Sequence, residues 1–344
     1  MAYTTIKKPT DYFNTVLYEG NGATGRGITG VGHQPDFVWI KNRDATTPHV
    51  LTDAVRGATV TLNSNDTSAD DTISNGLTAF GTDGFTIGGN GSFNYSNESF
   101  VSWNWKANNT GSANTDGSIS STVSANTTSG FSIVAWNGNS GTVGHGLGVK
   151  PDFIVIKSRQ TAGSNNWVVA HSALGTNMND NYIVLNSNGA AGSGSNTWGG
   201  EPTTTTFTVS SSVAANDNNI AYCFAGKTGY SKFGSYVGNG STFDNTFVYT
   251  GFKPAFIIIK RKDGGGGTAQ WLMMDSKRIG YNQSNYRLYP NLTNSEITTD
   301  YIDFLSNGFK IRDSGNDFGA SGGSYIYMAF AEEPLVGDNP ATAR

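Results

Sequence analysis

One cysteine, Cys223, occurs in 344 residues, which excludes an intrachain disulfide. It sits in the apolar run "IAYCFAG" with no base beside it, so it reads as a small buried core residue rather than a nucleophile. Charge is scarce as well: 14% of residues are charged, against roughly 25% in an ordinary globular protein. A formal net charge of −4 without any Lys/Arg block offers no electrostatic footprint for a nucleic-acid backbone or an anionic membrane. No stretch approaches the ~18 consecutive apolar residues of a membrane span. The opening "MAYTTIKKPTDYFNTV" has no apolar segment behind its lysines that would serve as a secretion signal. The expectation is a protein made in the cytoplasm that inserts in no membrane.

Motifs of chemistry are missing too. The glycine run Gly264 to Gly267 in "DGGGGT" lacks the Lys-Ser/Thr of a phosphate loop and reads as a hairpin tip. There is no Gly-x-Ser-x-Gly elbow, His-Glu-x-x-His or Cys-x-x-Cys. The four histidines, His33, His49, His145 and His171, match no metal-ligand spacing, so no cofactor and no metal are expected. Long amphipathic helices are also lacking; "LTDAVRGA" (51–58) is the best helical candidate and amounts to a turn or two.

What the chain does have is one strand written three times: "PDFVWIK" from Pro35, "PDFIVIK" from Pro151 and "PAFIIIK" from Pro254. The neighbouring features keep the same order each time, the mark of an internal repeat. Upstream lies an aromatic with a Gly-Asn turn, in "YEGNG", "WNGNS" and "YVGNG". Downstream come "HVLTD", "WVVAH" or "WLMMD", then Leu-x-x-Asn at Leu62/Asn65, Leu185/Asn188 and Leu288/Asn291. A strand opening on Phe85, Phe207 or Phe309 follows, 23, 22 and 21 residues after the Leu, and an aromatic strand closes each unit. The Pro-to-Pro distances of 116 and 103 residues suit one small β-domain.

Short β-branched and aromatic runs bounded by Gly, Asn, Asp and Ser predict an all-β protein of three tandem β-sandwich or jelly-roll-like repeats. The division is an N-terminal segment (1–11), repeat 1 (12–106), a Ser/Thr/Asn-rich linker or arm (107–130), repeat 2 (131–225), repeat 3 (226–332) and a C-terminal extension (333–344). The long first junction and short second one predict that repeats 2 and 3 pack together while the first stands apart. "FVWIK" and "FIIIK" are apolar on both faces, as in a strand covered on both sides.

Repetition also sorts structure from chemistry, because a fold needs its core in every copy whereas a catalytic constellation is built once. The shared lysines (Lys41, Lys157, Lys260) read as the points where the buried strand emerges into water. The shared Asn reads as a turn residue bonding nearby backbone. His33 and His145 precede the Pro-strand where the third unit has Phe252, which points to packing. Asp53 and Asp275 meet His171 at their position, which speaks against a required carboxylate. Asp36, Asp53, Asp83, Glu98, Asp275 and Asp303 are the acids from which a glycosidase pair would be drawn. Three aromatics outside the shared pattern, Trp198 in "SNTWGGEP", Phe243 in "GSTFDN" and Tyr281 in "GYNQSN", lie among polar loop residues and are the candidate ligand-contacting side chains.

The segments "YEGNGATGRGITGVGHQPDFVWIKNR", "TDGFTIG", "VSWNWKA", "NTDGSISSTVSANTTSGFSIVAW", "VGHGLGVKPDFIVIK", "FVYTGFKPAFIIIKR" and "ASGGSYIYMAFAE" together resemble a repeat domain of structural and tail-fibre-like proteins from marine tailed bacteriophages, cyanophages and pelagiphages. The resemblance spans nearly the whole chain and brings no catalytic residues. It implies a non-enzymatic virion structural protein, displayed on the particle as a tail-fibre or adhesion component. The implied partners are other tail or capsid proteins and a host surface glycan or protein, in an oligomeric virion assembly. A capsid decoration or head-fibre protein, docked on the coat lattice through "MAYTTIKKPTDYF" or "PLVGDNPATAR", is the alternative, and a host-glycan depolymerase a third reading.

Overall fold

In the Pro-anchored strand successive side chains alternate between sheet faces. Phe37 and Trp39 enter one apolar core while Val38 and Ile40 enter another. Phe153 and Val155 join the first of these, and Ile154 and Ile156 a third core. Phe256 and Ile258 again join the first, and Ile257 and Ile259 a fourth. The strand is apolar on both faces because it separates a private core from a core common to all three units. The computed structural model describes residues 4–160, 166–194, 197–264, 269–278, 282, 284–337 and 340–341.

The molecule is all-β, built of antiparallel sheets. In the first unit the large sheet runs Phe13–Glu19, Ser99–Trp105, Phe37–Asn42, Val50–Asp53, Val60–Asn63, Asp71–Thr72. In the second it runs Ser112–Asn114, Ser121–Asn126, Phe131–Asn137, Asn218–Phe224, Phe153–Ser158, Val168–His171, Asn181–Val184, Gly192–Ser193. In the third it runs Ser231–Val237, Ser324–Pro334, Phe252–Arg261, Leu272–Asp275. Opening strand, closing strand, Pro-strand and its hairpin partner therefore recur in one order. A smaller sheet covers each: Arg26–Thr29, Gly84–Ile87, Leu77–Gly81; then Gly141–Gly144 with Thr206–Val209; then Phe247–Tyr249, Gly308–Ile311, Ile297–Leu305, Ser284–Arg287.

The first unit does not stand apart. Its Phe37 stacks on Tyr222 of the second at 4.2 Å between ring centroids, its Trp105 meets Phe330 of the third at 5.7 Å, and Phe224 meets Phe330 at 5.8 Å. Three sheets thus turn an aromatic face inward, and that burial is the dominant favourable term holding them together. The long first junction misleads because its residues are used as strands rather than as a spacer. Ser121–Asn126 pairs along Phe131–Asn137, and Ile119 bridges to Val143 of the smaller sheet. The equivalent strands Phe13–Glu19 and Ser231–Val237 end their sheets.

"LTDAVRGA" holds no helix: Val50–Asp53 is strand, and Asp53 Oδ1 then accepts the N–H groups of Val55 and Arg56 to make the turn. The one α-helix among the described residues is the short Gly91–Asn94, after Asn90, whose side chain accepts from Ser92 N.

Candidate functional site

The junctions between units hold a ring of buried polar contacts. Asp53 of the first unit is paired with Arg56 at 2.5 Å and accepts the Tyr222 hydroxyl of the second at 2.7 Å. Asp275 of the third is paired with Arg278 at 2.7 Å and accepts the Trp103 indole N–H of the first at 3.0 Å. The second unit has His171 there: Nε2 donates to Tyr327 O of the third at 3.0 Å, and Nδ1 accepts Ala173 N at 2.9 Å. Asp can be replaced by His at this position because the third unit's closing strand presents Met328, without a donor, where the others present Tyr222 and Trp103. The His ring bonds the neighbouring backbone carbonyl instead.

A second set runs around the same ring of contacts. Trp167 Nε1 donates to Asn63 O of the first unit, Trp271 Nε1 to Val184 O of the second, and Ser64 Oγ to Pro290 O of the third. Arg43 and Arg278 close on Glu296 at 2.7 and 2.8 Å. Each unit therefore contacts both others, the closed case of a repeated head-to-tail interface.

The shared lysines do not emerge into water. Lys41, Lys157 and Lys260 are each 0% exposed. Lys41 Nζ donates to Ala45 O, Lys157 Nζ to Thr67 O of the neighbouring unit, and Lys260 Nζ to Asn188 O of the second unit and to Ala269 O. Burial lowers the pKa of each to about 8. They lie on the common-core face of their strand, one residue short of its last, which is why periodicity suggests an exit while geometry gives a buried end. The shared Asn works as a backbone acceptor, though over a longer reach: Asn65 takes His49 N and Asn291 takes Trp271 N. In the second unit Asn186, rather than Asn188, takes the equivalent Trp167 N.

His33, His145, Cys223 and the other candidate acids are bound into the fold. His33 Nδ1 donates to Thr10 O, His145 Nε2 to Thr203 O, and burial lowers both, His33 to about 4. Cys223 is buried, which raises its thiol pKa far above the ordinary value. Asp36 accepts Ala107 N, Asp83 accepts Gly30 N and Gly32 N, Glu98 accepts the Asn42 amide, and Asp303 pairs with Arg312 at 2.6 Å.

Of the three candidate aromatics, Trp198 is 2% exposed, packed in the second unit's core with Nε1 donating to Asn181 O. It is a core residue, not a surface contact; its polar neighbours in sequence hid an inward-turning ring. Tyr281 lies outside the described residues. Phe243 is 82% exposed.

Phe243 is held out by an ordered loop. Asn245, itself buried, donates to Ser241 O, Asp313 O and Gly319 O and accepts Asn239 N and Thr246 N. Arg312 donates to Phe243 O at 2.5 Å. The loop opens into Phe247–Tyr249, an edge strand whose Val248 is in the core while Phe247 and Tyr249 are exposed. Val237, also exposed, accepts the Thr246 hydroxyl through its carbonyl. Lys232 donates to Tyr249 O at 2.7 Å and stands 5.3 Å from that ring's centre. Beside it an open cleft of about 490 Å³ runs along Asp152, Lys227, Lys232, Phe233 and Thr250 between the second and third units. Phe247 and Tyr249 flank the buried Val248 and so share the outward side of this strand, with Lys232 beside Tyr249. Phe247 and Tyr249 were legible only as an alternation in "FVY", too short to separate face from face.

Among the described residues no helix is long and apolar enough to cross a membrane. Residues 8–334 match the family model of a domain of unknown function, DUF7483, and the chain belongs to that family. No curated protein and no solved structure matches it.

Proposed function

Taking that membership as premise, we propose that this chain is a non-enzymatic structural protein of a tailed bacteriophage particle, displayed on the surface as a tail-fibre or adhesion component. The observation that carries the reading is the exposure of Phe243, Phe247 and Tyr249, carried by a loop and an edge strand on a body whose three units share one core. A common core makes the three sandwiches one rigid carrier, which suits a part that transmits contact between a particle and a cell. The sequence resemblance to phage fibre-like proteins supplies the particle; the aromatic face supplies the contact. The bound state of the buried carboxylates and histidines supports an architectural rather than catalytic use of them.

On this reading the protein is assembled in the host cytoplasm and reaches the outside by lysis. The partners are then neighbouring tail proteins on one side and a host surface glycan or protein on the other, in an oligomeric virion assembly. A decoration protein on the capsid lattice is the competing placement.

Mass spectrometry of gradient-purified particles tests the assignment. The chain is expected at tail-protein stoichiometry; its absence from intact particles overturns the reading, and copy numbers matching the coat protein favour the capsid placement.

A further inference from the structure

The three units serve as internal controls for one another, and at one place the second departs from the others. After the Phe-opened strand, the first unit inserts Phe93 and the third Phe318 into the end of its sandwich, each fully buried. The second unit has Val213 and Ala214 after the corresponding strand, Thr206–Val209. It also has two strands in its smaller sheet where the others have three and four. Val213 and Ala214 line a cleft of about 280 Å³.

The residue at the end of the Pro-strand changes in step. Asn42 in the first unit donates to Glu98 and accepts Asp44 N and Ala45 N. Arg261 in the third binds Asp263 and Asn316. Ser158 stands there in the second, lines the cleft, is 4% exposed, and its hydroxyl has no partner among the described residues. A buried hydroxyl left unpaired is unfavourable, so a position of this kind favours an occupant of the cleft that supplies the bond.

We propose that this cleft of the second unit binds a neutral polyhydroxylated ligand of the size of one sugar ring. Among the described residues no charged side chain lines it, so a charged ligand would be desolvated without a counter-charge. Arg159, next in the chain to Ser158, is paired with Asp70 at 2.5 Å. The lining mixes the hydroxyls of Ser211, Ser212 and Tyr182 and the amide of Asn166 with the methyls of Val168 and Val213. Asn166 already accepts from Asn186 through Oδ1, which leaves its N–H groups to donate. A wholly apolar ligand would strand these groups; a pyranose offers them hydroxyls on its edge and a C–H face to Tyr182 and the valines. The volume falls just below the ~300–1,000 Å³ of pockets that hold drug-sized ligands, which suits a single ring. The site stands apart from the aromatic face of the third unit and does not depend on where the protein sits in a particle.

Ligand-observed NMR on the full chain tests this, with the methyl glycosides of glucose, galactose and mannose and with N-acetylglucosamine as probes. At least one probe is expected to show saturation transfer. Val213→Phe, which restores the plug of the other two units, should weaken it at least tenfold with the melting temperature retained. Ser212→Trp, on the exposed rim, gives the same test should the core variant fail to fold. Phe243→Ser should leave the signal unchanged. Absence of transfer from all four probes, or transfer that survives both blocking variants, overturns the proposal.

Discussion

Tyr222 of the second unit donates its hydroxyl to Asp53 of the first at 2.7 Å, and Asp53 is at the same time paired with Arg56, both side chains of that pair being wholly buried. Breaking such a pair from one side leaves an uncompensated buried charge, so Asp53→Ala should cost about 3–5 kcal/mol. Tyr222→Phe removes one bond from a carboxylate that keeps its arginine and should cost about 1–3 kcal/mol. Urea unfolding of the two variants and of the double variant gives the coupling; strictly additive losses would contradict a direct bond across the junction.

The buried lysines and histidines give stability a pH slope. Lys41, Lys157 and Lys260 fall from 10.5 to about 8 on folding because burial disfavours the charged form. Between those values the unfolded chain holds protons that the folded chain has released, so stability should rise from about pH 8 toward pH 10. His33 and His171 fall from 6.5 to about 4, also by burial, and the same reasoning has stability decline as pH drops through that window. Melting temperatures across both windows check the signs. Lys157→Met should flatten the alkaline rise and His171→Gln the acid fall; slopes unchanged in both variants would place the titration elsewhere.

Because the faces of Trp103, Tyr222 and Met328 meet in one core, no unit can bury its inner face alone. Calorimetry should show a single transition whose calorimetric and van't Hoff enthalpies agree. Trp105→Ala, at the centre, should lower that transition as a whole by about 3–5 kcal/mol. Three separable transitions would contradict a shared core.

Replacing Phe243, Phe247 and Tyr249 together by Ser removes exposed rings and should change stability by no more than about 0.5 kcal/mol per site. On the proposed function, particles carrying the triple variant should adsorb to host cells at least tenfold more slowly. Wild-type adsorption would remove this face from the contact.

The repeat that announces the fold is legible because the Pro-strand must satisfy two cores, so its apolar alternation is written three times without polar interruption. The closing of the units on one another is not legible, since nothing in a single strand's pattern says whether its second face meets a helix, a loop or another copy. Lys41 shows why: at a strand end, an exposed and a buried lysine look alike in sequence, and only the carbonyl of Ala45 tells them apart. Trp198 fails for the opposite reason, an apolar ring set among Gly, Asn and Thr that folds back under its own loop. Phe243 stays exposed in the same kind of surroundings, on a loop that Asn245 ties to Asp313 O and Gly319 O.

Cryo-electron microscopy of the purified particle tests the central claim most directly, by locating three β-sandwiches closed around one core. The account predicts that density at the tail, with the Phe243 face turned outward. Particles without it, or density spread over the capsid shell with that face against the coat lattice, would contradict an adhesion role.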